Sequence, residues 1–213
     1  RITARASAGR HGVINIERQV ALGGPIQQKG VMVLQGFLSG HFARSFPLSF
    51  NCSITFEQNY GGVEGDSASM AEILAILSDL TGVPLRQDIG ITGSMNQRGE
   101  AQAIGGAHHK IEGFFRCCKE AGQLTGKQGV VIPYTNEKNL ILRDEICEEI
   151  AVGNFHIWSV KSIEEAAELF MNIQTGEIDE NGRYPKETLF GKVQTELEAF
   201  DHALNDRERA GSL

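Results

Sequence analysis

The chain has 213 residues, of which 41% are hydrophobic, and a formal charge of −7, and this length suffices for one sizeable core. The negative charge, with no cluster of Lys and Arg, argues against a nucleic-acid-binding surface, and four cysteines are too few to suggest a disulfide framework. No apolar run approaches the roughly 18 to 20 residues that span a bilayer, so we expect a protein of the reducing cytoplasm with no membrane segment.

Three strands are predicted in the N-terminal quarter of the chain, which starts at Arg1 rather than Met and so suggests an excised or processed segment. Residues 12–20 and 30–38 contain β-branched and apolar runs on either side of a Gly-Gly-Pro turn signal at 23–25. Residues 48–56 alternate apolar and polar side chains, which is the period of a half-buried strand.

A helix is predicted after the glycine-rich bend at 61–65, because apolar residues recur at helical spacing as far as Gly82. A serine between such a bend and a helix start lies where free backbone N–H groups and the helix dipole can stabilise an oxyanion. This position favours Ser67 as a nucleophile. The alternative is that Ser67 or Ser69 only caps the helix, since Ser69 and Glu72 form a capping-box pattern.

Strands at 88–94 and 101–105 flank a turn at 96–99, and a helix over 107–121 follows. The helical period places Lys110 on the apolar face of that helix. Burial there would depress the pKa of the ammonium group, and a neutral lysine near a serine can serve as its general base. The alternative is a snorkelling lysine whose amine reaches water.

The remaining pattern predicts a buried strand at 130–132, helical pieces over 136–151, a strand at 155–160 and a helix over 162–171. That last helix begins with a Ser-Ile-Glu-Glu capping box. Strands and helices in this irregular order indicate an α/β or α+β (mixed) domain rather than a regular βαβ repeat.

The composition turns polar and charged after residue 175. Residues 176–183 resemble a linker, and an amphipathic helix is predicted over 186–207. We therefore divide the chain into a domain at 1–175 and an appended tail at 176–213.

Metal and nucleotide sites are not supported by the sequence. His108-His109 has no further ligand at metal spacing, so paired surface histidines are the favoured interpretation over zinc. The segment 122–127 is one residue short of a phosphate loop and lacks its Ser or Thr. We predict no bound metal or cofactor on these 213 residues.

Three segments resemble the proteolytic domain of Lon proteases in sequence, order and spacing: Val63-Glu-Gly-Asp-Ser-Ala-Ser69, Thr92-Gly-Ser94 with Arg98-Gly-Glu100, and Ile104-Gly-Gly-Ala-His-His-Lys110. The resemblance spans roughly residues 12–172, and its serine motif is similar to the B-type branch of the family. The chain departs from the family at 107–109, where a charged or polar approach to the lysine is more usual, and in its C-terminal tail.

The resemblance implies a serine endopeptidase with a Ser-Lys dyad of Ser67 and Lys110. It also implies that Thr92 hydrogen-bonds and orients the lysine amine, and that Glu64 and Asp66 are the acidic positions beside the serine.

The resemblance further implies unfolded or damaged polypeptides as substrates, a hexameric ring, and an upstream AAA+ module that binds ATP and Mg. The alternatives are an ATP-independent Lon-like peptidase and a catalytically silent domain for assembly or substrate holding.

Overall fold

A three-stranded sheet and two helices form the N-terminal part of the computed structural model, which describes residues 1–122 and 124–211. The strands are β1 (Ile2–Ala8), β2 (Gly12–Asn15) and β3 (Phe50–Phe56). Strand β3 lies in the middle, antiparallel to β1 and parallel to β2. Because parallel neighbours need a crossover connection, the chain between β2 and β3 carries α1 (Ile16–Gln19) and α2 (Pro25–Phe42). The third predicted strand is confirmed as β3.

The predicted strand at 30–38 is wrong, because these residues lie within α2. Gly24 is the N-cap of that helix and Pro25 its first residue, a position where the missing proline N–H costs no hydrogen bond. The first predicted strand also ends earlier, at Asn15, since α1 follows it directly. The buried residues of α2 recur at helical spacing, namely Gln27, Gly30, Val31, Leu34, Phe37, Leu38 and Phe42.

The middle of the chain forms a hairpin, a second sheet and four helices. Strands β5 (Ser94–Met95) and β6 (Ala101–Gln102) pair as the hairpin, while β4 (Ile89–Ile91), β7 (Gly129–Pro133) and β8 (His156–Val160) form a parallel sheet in the order β4-β7-β8. The helices are α3 (Ser69–Thr81), α4 (Ala107–Ala121), α5 (Asp144–Ala151) and α6 (Ile163–Met171), with a 3₁₀ helix at Tyr134–Asn139. The helices and the strands at 130–132 and 155–160 are thus confirmed, with small shifts at their ends. The single strand predicted at 88–94 is instead divided between β4 of the second sheet and β5 of the hairpin, and the strand predicted at 101–105 ends at Gln102.

The capping box predicted at the start of α6 is half formed. The Ser162 hydroxyl accepts a hydrogen bond from the Glu165 N–H at 3.4 Å. The Glu165 carboxylate accepts from the N–H of Lys161 at 2.8 Å, one residue before the cap that a complete box would use.

Strand β7 separates two hydrophobic cores, and both of its faces are buried. Val131 points into the larger core, which α2, α3 and the first sheet share, whereas Val130 and Ile132 point into a smaller core beneath α4 and α5. The mixed α/β fold predicted from the sequence is confirmed. Within the described ranges, no helix combines the length and the apolar character needed to cross a membrane.

The prediction that the tail is an appendage is wrong with respect to packing. Its helix α7 (Leu189–Gly211) contributes Phe190 and Leu197 to the larger core, each at most 1% exposed, and the ring of Phe190 meets that of Phe42 edge-on at 5.2 Å. Exposed polar residues such as Lys192 lie on the outer face of this helix, and the polar residues at 176–188 precede it. The division of the chain at residue 175 stays a prediction.

Replacing Leu197 by alanine should lower the free energy of unfolding by about 2–5 kcal/mol, because it removes a fully buried side chain from the larger core. Lys192→Ala, on the exposed side of the same helix, should change it by less than about 0.5 kcal/mol. Urea denaturation of both variants measures the difference. Equal effects would contradict the packing of α7 described above.

Candidate active site

An open cleft of about 410 Å³ lies between the start of α3, strand β4 and one side of α4. Helix α4 approaches β4 closely, since a Cβ atom added to Gly90 would lie 3.3 Å from the Phe114 ring. Apolar clefts with a few convergent polar groups are the usual form of binding sites. The lining includes Ile91, Phe114 and Val130 as apolar residues, and Ser67, Thr92 and Lys110 as polar ones.

Ser67 lies just before α3, and its hydroxyl does not cap the helix. The N-cap is Ala68. The predicted Ser69–Glu72 capping box is wrong, because the Ser69 hydroxyl donates back to the Asp66 carbonyl at 2.8 Å and the Glu72 carboxylate accepts from the side chain of Gln27 at 3.0 Å. The Ser67 hydroxyl is therefore available to the cleft.

The Lys110 amine donates hydrogen bonds to the hydroxyl oxygens of Ser67 and, at 3.1 Å, of Thr92. The structure therefore brings together three residues from the start of α3, the end of β4 and the first turn of α4. A neutral amine has a lone pair and could accept the serine proton through the same contact. Chemically, this arrangement allows proton transfer from Ser67 to Lys110.

The prediction that Lys110 lies on the buried face of α4 is wrong. That face consists of Ala107, Ile111 and Phe115, which cover the second sheet, whereas Lys110 is exposed beside the cleft. Partial desolvation of the amine in the cleft nevertheless lowers the pKa of Lys110, and the negative charge of Asp66 opposes this shift. The direction expected of a lysine base is thus obtained without full burial.

The two predicted acidic residues hold the serine loop, defined here as residues 64–72. Glu64 accepts from the N–H of Ile26 at 3.2 Å, and Asp66 accepts from the hydroxyl of Ser94 at 2.9 Å. Neither carboxylate forms a hydrogen bond with Ser67 or Lys110 within the part of the chain that the structure describes. Their contacts connect the loop to α2 and β5.

Backbone N–H groups at the start of α3 are free to bind an anion. In residues 1–122 and 124–211, the N–H groups of Ser67 and Ala68 donate to no protein acceptor. They lie at the positive end of a 13-residue helix, which favours negative charge.

Sequence reasoning missed the contacts that Gln27 and Ser94 make with the serine loop. Gln27 lies between the strands predicted at 12–20 and 30–38, so its position on a helix was not foreseen. For Glu72 the sequence did contain a signal, because this acidic residue lies among apolar residues at helical spacing on α3. An acidic residue in such a position is seldom buried without a role, and the structure shows Glu72 to be 1% exposed.

The sequence of the chain matches a known protein family and several of its members. The model of the family "Lon protease (S16) C-terminal proteolytic domain" matches residues 59–172. The chain is 44% identical over 173 residues to a "Putative Lon protease homolog" of Escherichia coli (strain K12), covering 81% of this chain and 29% of that protein.

Two further relatives extend the comparison. A "Putative Lon protease homolog" of Haemophilus influenzae is 39% identical over 212 residues, covering 95% of this chain and 35% of that protein. An "Archaeal Lon protease" of Thermococcus kodakarensis is 38% identical over 120 residues, covering 56% of this chain and 17% of that protein. The chain thus spans roughly a third or less of the length of these curated relatives.

Replacing Asp66 by asparagine should move the titration of the Lys110 amine to lower pH, because the carboxylate that favours the charged ammonium is lost. Competitive acylation of amines from pH 6 to 10, followed residue by residue by mass spectrometry, measures the midpoint for Lys110. Glu64→Gln, which neutralises the other acidic residue of the loop, is the matched control and should leave the midpoint in place. A midpoint that stays fixed or rises in Asp66→Asn would contradict the electrostatic role given to Asp66.

Proposed function

The chain belongs to the Lon protease family, and from this premise we propose that it is a serine endopeptidase domain with Ser67 as nucleophile and Lys110 as general base. The observation that carries the proposal is the contact of one amine with two hydroxyl groups at the mouth of an open cleft. A helix N-terminus with free N–H groups beside that serine supports the same chemistry.

In the proposed mechanism, neutral Lys110 takes the hydroxyl proton of Ser67 as the oxygen attacks the peptide carbonyl. The N–H groups of Ser67 and Ala68 bind the oxyanion. The protonated amine then gives its proton to the leaving amine of the substrate, and water hydrolyses the acyl-enzyme. Two ordinary steps thereby replace one difficult displacement.

Thr92 orients the lysine in this proposal. Its hydroxyl donates to the Ser67 carbonyl at 3.3 Å, so its lone pairs are left to accept from the Lys110 amine. Because Thr92 is only 6% exposed, its side chain has little freedom to turn away. The lysine amine is thus held by a fixed acceptor.

We further propose that an extended substrate pairs with β4, an outer strand of the second sheet. The N–H of Thr92 donates to Val131 of β7 at 3.0 Å. Because successive backbone groups of a strand point to opposite sides, the N–H and C=O of Ile91 point away from β7. Ile91 lines the cleft, so a peptide bound there would be recognised through its main chain.

For the whole protein, we propose degradation of unfolded polypeptides inside a hexameric ring in the cytoplasm, with ATP and Mg bound by an AAA+ module upstream. The support is the family membership, and the length of the relatives leaves room for such a module.

Lys110→Met should lower the kcat for an unfolded casein or a fluorogenic peptide by about 10²–10⁴-fold, since the general base is lost. Ser67→Ala should abolish acyl-enzyme formation. Lys119→Met removes another lysine from α4, one that pairs with Glu145 outside the cleft, and should leave turnover near that of the parent. Full activity in either Ser67→Ala or Lys110→Met would refute the dyad, while a parent that never cuts, even in its full-length form, would favour the silent domain.

A series of peptide substrates, each with one backbone N–H methylated, tests the pairing with β4. Strand pairing uses every second residue, so methylation at alternate positions should raise KM by about 2-fold to 10-fold and at the positions between them much less. The intervening positions are the internal control. Sensitivity without a two-residue period would exclude this mode of binding.

A further inference from the structure

A buried polar network lies beneath the serine loop. It consists of Asn15 at the end of β2, Glu17 of α1, Gln27 of α2 and Glu72 of α3, each at most 3% exposed. Polar side chains this deeply buried are normally fully hydrogen-bonded, and two carboxyl groups in one network are unusual.

Hydrogen bonds join three of these side chains in a row, while Glu17 acts on Glu72 through its charge. The Asn15 amide donates to the side-chain oxygen of Gln27 at 2.6 Å, and the Gln27 amide donates to Glu72 at 3.0 Å. One oxygen of Glu17 accepts from the Thr55 hydroxyl at 2.8 Å and from the Phe56 N–H at 2.7 Å.

Acceptors outnumber donors in this arrangement. The second oxygen of Glu17 and the side-chain oxygen of Asn15 are buried with no donor from the residues that the structure describes. A buried acceptor without a donor costs about 1–3 kcal/mol. The network therefore lacks at least one hydrogen atom that an ionised Glu72 cannot supply.

The electrostatics agree with this count. Burial raises the pKa of Glu72 to about 7, the hydrogen bond from Gln27 opposes the shift, and the negative charge of Glu17 adds to it. Glu17 is the group whose charge acts on Glu72, while Gln27 and Asn15 present neutral amides from α2 and β2 and Thr55 presents a hydroxyl from β3. Two buried carboxylates close enough for one charge to act on the other are not both ionised at low cost.

We propose that Glu72 is a positioning residue that is held as a neutral carboxylic acid, and that its proton supplies the donor missing from the network and holds the serine loop against α2. The carboxyl O–H of Glu72 donates to an unpaired buried oxygen, that of Glu17 or Asn15. This inference rests on the proposed function, because the loop carries Ser67.

Helix α2 holds both ends of the serine loop. Before the serine, the Ile26 N–H binds Glu64, and after it, Gln27 binds Glu72. Between these contacts the helix touches the loop directly, since a Cβ atom added to Gly30 would lie 2.7 Å from the Ser69 hydroxyl oxygen.

Helix α1 is joined to the same loop through the main chain. The Glu17 carbonyl accepts from the N–H groups of Leu22 at 2.7 Å and Gly23 at 2.9 Å, and Val63, the residue before the loop, donates to the Leu22 carbonyl at 2.8 Å. Repulsion between a second negative charge and Glu17 would therefore act on the two helices that hold the serine loop.

Catalysis then needs two opposite protonation states. Lys110 must lose its proton to act as a base, and Glu72 must keep its proton for the loop to stay in place. The rate should rise with pH as Lys110 is deprotonated and fall as Glu72 ionises.

The test compares the pH–rate profiles of the parent and Glu72→Gln, whose neutral amide keeps the shape and supplies an N–H donor. At pH 6 the two should be alike, and at pH 8 the variant should be about tenfold faster, because one pH unit above its pKa of about 7 nine-tenths of the parent is ionised. Glu148→Gln, which neutralises an exposed carboxylate on α5, is the matched control and should follow the parent.

Two readouts do not require activity. Glu72 binds its proton more tightly in the folded chain than in the unfolded chain, so the Tm of the parent should fall as pH rises from about 4.5 to about 7, and Glu72→Gln should lose this part of the decline. Hydrogen exchange of the amides at 64–72, corrected for its intrinsic pH dependence, should accelerate above pH 7 in the parent alone.

Parallel Tm curves in the parent and Glu72→Gln, or unchanged loop exchange across this range in the parent, would overturn the proposal. So would a parent whose stability depends on Na⁺ or K⁺ concentration at neutral pH, since a cation would then occupy the place given to the proton. If no protein cuts peptide while the Tm and exchange results hold, the proposed peptidase function fails and the protonated carboxyl group stands.

Discussion

The carbonyl group of Ser67 joins two parts of the molecule that are distant in the chain. It accepts the N–H of Gly93 at 2.8 Å and the hydroxyl of Thr92 at 3.3 Å, so the start of α3 and the end of β4 are held together. Lys110 comes from α4, which is seated on the sheet that contains β4. The N–H of Met70 adds a second backbone bond, to the Gly93 carbonyl at 3.1 Å. Contact between the Lys110 amine and both hydroxyl groups therefore depends on this junction between α3 and the end of β4.

The two cores explain how that connection is kept. Strand β7 is buried on both faces, so the sheet that supports α4 is also part of the larger core that supports α3. Movement of α3 relative to α4 would therefore disturb the packing of both cores. The cleft lies at the edge of the second sheet, beside the outer strand β4.

Desolvation acts in opposite directions on the two ionisable groups that matter most near Ser67. It lowers the pKa of Lys110 and raises the pKa of Glu72, because burial disfavours the charged form of either group. In both places burial shifts the balance toward the neutral form of the side chain. The Lys110 amine faces the cleft, and the Glu72 carboxyl group lies beneath the loop.

Local sequence determined much of this protein. The helix over 107–121, the alternating strand at 48–56, and the start of α3 after a glycine bend could be predicted because each depends on hydrogen bonds and periodicity within a few residues. Tertiary structure decided the rest: the run at 30–38 became a helix packed on α3, α7 entered the core, Lys110 stayed exposed, and Ser67 met a lysine 43 positions away. Propensity and period describe one element at a time, whereas the face that is covered, and by which distant partner, is set by packing that local sequence does not contain.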